Sequence, residues 1–176
     1  MAHADSGKAS NAATPWMPSE ATIRRLSDVA PAAEVVLLPE RYEGDVGMYR
    51  DTAVGFVTAL KGTGLVATTL DEGSQRNVFG EYSREVLVEI ALGVAGNITW
   101  DAAKHLWLAP SAWAARRSAA DTTPMVSLKV ARLERDGVVM EGLHICAPAG
   151  EASADWVIGM LSQLAPPPAS GDEEAP

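Results

Sequence analysis

Cysteine is almost missing from this chain: there is one in 176 residues. No disulfide can close within it and no Cys-only zinc site can form, and such usage suits a reducing cytosol. Long apolar runs are missing too. The most apolar stretch, residues 86–95, is about ten residues long and contains Glu89, whereas a membrane-crossing helix needs roughly 20. The opening, MAHADSGKASNAATP, lacks the apolar centre of a secretory signal. Basic charge is in deficit, 14 Lys+Arg against 23 Asp+Glu, for a formal net charge of −9. That balance opposes general nucleic-acid binding, because nothing would compensate the phosphates. These absences together predict a soluble cytoplasmic protein with neither a membrane nor a nucleic acid as partner.

What is present is enough apolar material for a core, 47% of the chain. Its distribution predicts three parts. Residues 1–32 are rich in Ala, Ser, Asn and Pro with scattered large apolar residues, and are expected to be an unstructured tail. Residues 166–176, a polyproline run followed by Asp172-Glu173-Glu174, are expected to be a second one. Residues 33–165 are expected to form a single α+β domain.

Within 33–165, Glu34–Pro39 reads as a short buried strand ended by proline. Tyr49, Ala53, Phe56, Val57 and Leu60 recur at helical spacing, with Gly62 as the stop. Leu65–Leu70 reads as a strand. Residues 85–93 fit a strand by the run Val86-Leu-Val and a helix by Ala91 and Leu92. From Asn97 the pattern is helical, with Trp100, Ala103, Trp107 and Leu108 on one face. Pro110 is expected to break or kink that helix, and Ser111 to cap a second piece closed by Arg116 and Arg117.

Asp136-Gly137 between two apolar-alternating runs predicts a hairpin. A tight turn there sets Val130 opposite Leu143, Leu128 opposite Ile145, Val126 opposite Ala147 and Arg132 opposite Glu141. A last amphipathic helix carries Trp156, Val157, Met160, Leu161 and Leu164. The predicted fold is therefore α+β: a four- or five-stranded sheet with helices packed on it, in the order βαβ(β)αββα, ending in a β-hairpin followed by a helix.

Few residues point to chemistry. Asp101 and His105 are four apart, so on a helix they share a face and could orient a general base. The same spacing is ordinary helix-surface stabilisation. His144 and Cys146 point the same way from a strand, with Lys129 and Ser127 facing them, but the third and fourth ligands of a zinc site are missing. Gly93-Val-Ala-Gly96-Asn97 lies between a strand and a helix, the order an anion cradle needs. It lacks the lysine and spacing of a P-loop. No metal, cofactor or catalytic residue is predicted.

Tryptophan outnumbers phenylalanine, five to two. Trp100 and Trp107 are expected in the core. Trp113 next to Arg116 and Arg117 is expected nearer the surface, which makes Trp107, Trp113, Arg116 and Arg117 the candidate partner-contacting strip, since Trp and Arg are enriched among interface hot spots.

The succession EVLVEIALG, WDAAKHLWLAPSAWAARR, VSLKVARLERDGVVMEGLHI and SADWVIGMLSQL, about residues 80–164, resembles the small effector-associated constant-component domains of bacterial conflict systems. The resemblance implies an adaptor module carried beside a variable effector, without catalytic residues. The function expected is thus a non-catalytic protein-interaction module of a bacterial cytoplasm. The alternative is a small-molecule or nucleotide-binding domain, or a minor enzyme, using Asp101, His105 and Gly93–Asn97. The enzyme reading requires Asp101, His105 and His144 to converge in one pocket. The module reading requires them apart, with an exposed apolar or aromatic patch elsewhere.

Overall fold

A computed structural model of the chain describes residues 10–28, 33–80, 86–93, 100–118, 121, 123–133 and 139–164. Strand β1 (Ala12–Pro15) and helix α1 (Glu20–Asp28) come first. Strands β2 (Val35–Leu37), β3 (Arg41–Glu43) and β4 (Val46–Arg50) lead into α2 (Asp51–Lys61). Next are β5 (Ala67–Thr69), β6 (Arg76–Phe79), β7 (Val86–Leu92) and α3 (Trp100–Arg117). Strands β8 (Met125–Leu133) and β9 (Val139–Pro148) precede α4 (Ala154–Leu164).

Among the described residues the fold is α+β with two sheets, one of six strands in the order β1-β9-β8-β7-β2-β5 and one of three in the order β3-β4-β6. Both are mixed. Strands β2 and β5 run parallel, as do β7 and β8. Each of those pairs is separated in sequence by a helix, α2 or α3, because a parallel neighbour is reached only by a long crossover. Strands β8 and β9 are antiparallel, and Val130–Leu143, Leu128–Ile145, Val126–Ala147 and Arg132–Glu141 face each other as their alternation predicts. Beyond Arg132 the register shifts, and Leu133 pairs with Val139. The Asp136-Gly137 turn lies outside the described residues.

Alternation along the strands divides the six-stranded sheet into two faces. Val35, Leu37, Val88, Ile90, Leu128, Val130 and Ile145 face α2, α3 and α4 and are buried with Phe56, Leu60, Leu106, Trp107 and Ile158. Val36, Ala91, Ala131 and Leu133 face the other way, under Leu26 of α1, with Trp16 and Ile23 packed against them.

Several expectations are corrected. The sheet has six strands, not four or five, and the order βαβ(β)αββα is preceded by β1 and α1 and interleaved with the three strands of the second sheet. Residues 12–28, expected within an unstructured tail, are a strand and a helix. β1 closes the free edge of β9, Ala12 opposite Cys146 and Pro15 opposite Leu143. Its Ala-Ala-Thr-Pro sequence carries little strand signal because the ladder to β9 supplies the stabilisation, and proline is tolerated on an edge. Helix α1 is capped by Ser19, whose hydroxyl accepts from the Thr22 amide at 3.2 Å. The expected tail at 166–176 lies outside the described residues.

Tyr49 and Arg50 belong to β4 and not to the following helix. Residues 86–92 are a strand. Helix α3 runs unbroken through Pro110, which is buried. A proline there removes one backbone bond, and the packing of Leu106, Trp107 and Ala114 on the sheet holds both halves in one helix. Ser111, expected to cap a new piece, is buried in mid-helix, and its hydroxyl has no partner among the described residues.

Candidate interaction surface

Three arrangements of side chains stand out on this frame. The first is a groove built where the chain leaves β1. The Trp16 amide donates to the Gly142 carbonyl at 3.0 Å, and the chain passes so close over β9 that a Cβ at Gly142 would sit 2.2 Å from the Trp16 carbonyl oxygen. Only glycine permits that crossing. Pro15, Trp16 and Met17 on one side, Leu143 of β9 and Leu164 of α4 on the other, enclose about 350 Å³, with Glu141 and Gln163 also lining it. Met17 is 54% exposed, and Trp16 is half-buried. The lining is apolar and aromatic, the chemistry of a protein or peptide contact.

The second is a polar row across the opposite face of the sheet from α3. Glu89, Lys129, His144 and Thr14 stand side by side on β7, β8, β9 and β1. Lys129 Nζ donates to Glu89 Oε1 at 3.1 Å and lies 5.7 Å from the centroid of the Trp16 ring, a cation–π distance. Burial pushes the Glu89 carboxyl above the usual carboxylate range, and Lys129 works against that shift. Nearby, the hydrogen bond from Arg50 holds the Glu40 carboxyl below its usual range. Ser127 Oγ and His144 Nε2 are 2.7 Å apart. A serine–histidine contact is nucleophile–base geometry, but Ser127 is only 2% exposed and its hydroxyl is closed to a substrate. The contact satisfies a buried hydroxyl.

The third is a knot around Asp71, at the end of β5 and 2% exposed. Its Oδ2 accepts from the Tyr42 and Tyr49 hydroxyls, each at 2.9 Å, and its Oδ1 accepts from Arg25 Nε at 3.1 Å. The Asp71 amide donates to the Tyr49 oxygen at 3.0 Å. Burial, reinforced by the Asp71 carboxylate, pushes both phenols up, so they remain donors. Arg25 also donates to the Asp45 carbonyl at 3.0 Å. The knot ties α1 and the three-stranded sheet to the large one. A second cavity, about 430 Å³, lies beside β5, lined by Thr58 and Lys61 of α2 and by Thr68, Thr69, Glu72 and Arg76 among others.

The residues singled out in the sequence are dispersed. Trp107 is fully buried, with its indole N–H donating to the Gly150 carbonyl at 2.9 Å, and so does not belong to a surface strip. Trp113 is half-buried and packs edge-on against Phe56, ring centroids 6.4 Å apart. Arg116 is exposed at the end of α3, and Arg117 reaches Asp51 at 3.8 Å. Trp100, expected in the core, is 56% exposed.

Asp101 and His105 are exposed on the outside of α3, and no hydrogen bond joins them. His144 lies on the far face of the sheet, since its neighbours Leu143, Ile145 and Ala147 face the helices. Gly93 extends the pairing of β7 with β2, its amide donating to the Glu34 carbonyl at 2.8 Å. A Cβ there would sit 2.2 Å from the Ala33 carbonyl oxygen. Its glycine is required by that approach and not by a ligand. Gly96 and Asn97 lie outside the described residues. Among the described residues no group of three or more His, Cys, Asp or Glu could hold a metal ion, and no helix is long and apolar enough to cross a membrane.

The groove was not read from the sequence because three of its eight lining residues, Pro15, Trp16 and Met17, were assigned to a tail. The signal was the one large apolar cluster in that segment, Pro15-Trp16-Met17. The Asp71 knot left no signal, since its partners lie 22 to 46 residues from Asp71 along the chain. Comparison with family models, with curated proteins and with solved structures finds no match for the chain.

Proposed function

We propose that the protein is a non-catalytic interaction module that binds a protein partner through the groove beside Trp16. The observation that carries this reading is the separation of the residues with catalytic potential, combined with an open apolar groove elsewhere. Asp101 and His105 stand on the outside of α3, while His144 is across the sheet and engaged with a buried serine. An adaptor role beside an effector of a bacterial conflict system, in the cytoplasm, is the setting that the sequence resemblance implies. Trp113 and Arg116 at the end of α3 are a secondary contact in this reading.

The test is affinity capture of the tagged chain from the cells that produce it, after cross-linking and nuclease treatment. A stoichiometric protein partner, retained with His105→Ala and lost with Met17→Asp, is the expected outcome. Absence of any partner, or equal capture by both variants, overturns it. The cavity beside β5 favours a second reading, a binder of small anionic molecules, because Lys61, Arg76 and three threonines line it against the single acid Glu72. Nucleotide-dependent thermal stabilisation, abolished by Arg76→Ala, would support that reading over the first.

A further inference from the structure

We infer that the cavity beside β5 is a seat for the phosphate monoester of a small polyhydroxylated molecule, a sugar or polyol phosphate. This inference rests on the second reading above, in which that cavity takes small anions, and names the class of molecule. One wall is a single stripe of α2, since Val54, Val57, Thr58 and Lys61 follow helical spacing and all line the cavity. Thr68 and Thr69 of β5, Glu72 and Gly73 after it, and Arg76 at the start of β6 supply the rest.

The cations here differ from those elsewhere. The chain has a net charge of −9, and Arg24, Arg25, Arg41, Arg50, Arg117 and Lys129 each meet a carboxylate. Among the described residues Lys61 and Arg76 meet none, although Glu72 lines the same cavity. Arg76 is nevertheless held in place. Its Nη1 donates to Thr69 Oγ1 at 3.2 Å, and that hydroxyl donates on to the Asp71 carbonyl at 2.8 Å. Thr69 is 7% exposed, so the anchor is buried, and the remaining donors of the guanidinium fork are left for a ligand.

The charges select that ligand. A phosphate monoester carries about −1.5 to −2 at pH 7 and three acceptor oxygens, which suit Arg76 as a fork and Lys61 as a point charge. A single carboxylate leaves one of the two cations unanswered. Glu72 only accepts when ionised, so the part of the ligand that meets it must donate, as hydroxyl groups do. An ammonium group would also donate, but it adds a third cation beside Lys61 and Arg76. Among the lining residues the apolar ones are Val54 and Val57, so a nucleobase finds no ring to stack on. The volume, about 430 Å³, is that of a small-molecule site.

The experiment is calorimetric titration of the full chain with inorganic phosphate, glycerol 3-phosphate, ribose 5-phosphate, glucose 6-phosphate, O-phosphoethanolamine and AMP. At least one of the three hydroxylated esters is expected to bind about tenfold or more tightly than inorganic phosphate. Lys61→Ala and Arg76→Ala are each expected to weaken that ester by about tenfold, the loss of a hydrogen bond to a charged group. Glu72→Gln is expected to narrow the margin of the ester over inorganic phosphate, whereas a role of Glu72 in repulsion alone would leave it unchanged. All three side chains are exposed, and unchanged unfolding curves of the variants confirm that the fold is kept. Tightest binding of AMP or O-phosphoethanolamine, or no margin over inorganic phosphate, overturns the inference and leaves the anion reading standing. Binding of none of the six overturns both, and partner capture by the groove is untouched by either result.

Discussion

The two faces of the six-stranded sheet are stabilised in different ways. Toward α2, α3 and α4 the face is apolar throughout, and its contribution scales with the area removed from water. Toward α1 and the second sheet it mixes a smaller apolar patch with polar groups, and each polar group is acceptable there only because a specific partner meets it: Glu89 with Lys129, Ser127 with His144, Asp71 with Arg25 and two tyrosines. The first face tolerates changes that conserve volume. The second is sensitive to the removal of single atoms.

The comparison can be broken by substitution. The largest effect is expected for Trp107→Ala on the helix-covered face, about 3–5 kcal/mol by denaturant unfolding, from lost burial and a cavity. On the other face Asp71→Ala is expected to cost nearly as much, about 3 kcal/mol, although far fewer atoms are removed, because two tyrosine hydroxyls and Arg25 lose their acceptor. If Asp71→Ala were neutral, the contrast between the faces would fail.

Glu89 sharpens it through pH. An acid whose pKa is raised by folding stabilises fully below its unfolded value, about 4.3, and loses that contribution as pH rises through its folded value. Glu89→Gln is therefore expected to flatten a decline in stability with pH that begins in that range. Stability measured by urea unfolding across pH 4 to 7 checks this. Glu40, shifted the other way by Arg50, loses its contribution as pH falls, so Glu40→Gln is expected to flatten stability loss at the acidic end instead. The smallest effect is expected for Arg24→Ala, whose pairing with Glu20 at 3.9 Å joins two exposed side chains; less than about 0.5 kcal/mol is predicted.

The same contrast decides what a reader of the sequence can recover. The helix-covered face is written in short-range periodicity, and the β8–β9 register, α2 apart from its first turn, and α4 follow from it. Proline in α3 misleads because tertiary packing overrides a local rule. The polar face is written in partners distant along the chain. Nothing at position 71 announces tyrosines at 42 and 49, and nothing in Ala12–Pro15 announces β9. The groove shared that fate: Trp16 and Leu164 meet only once β1 has found the far edge of the sheet.

That pairing has a consequence for how the molecule is made. Strand β1, at residues 12–15, pairs with residues 143–146 of β9, so it needs a neighbour that is synthesised about 130 residues later. At about 5–20 residues per second, β1 waits several seconds or more for that neighbour. The rest of the sheet can assemble in the meantime, and the arrival of β9 is the event that closes the edge.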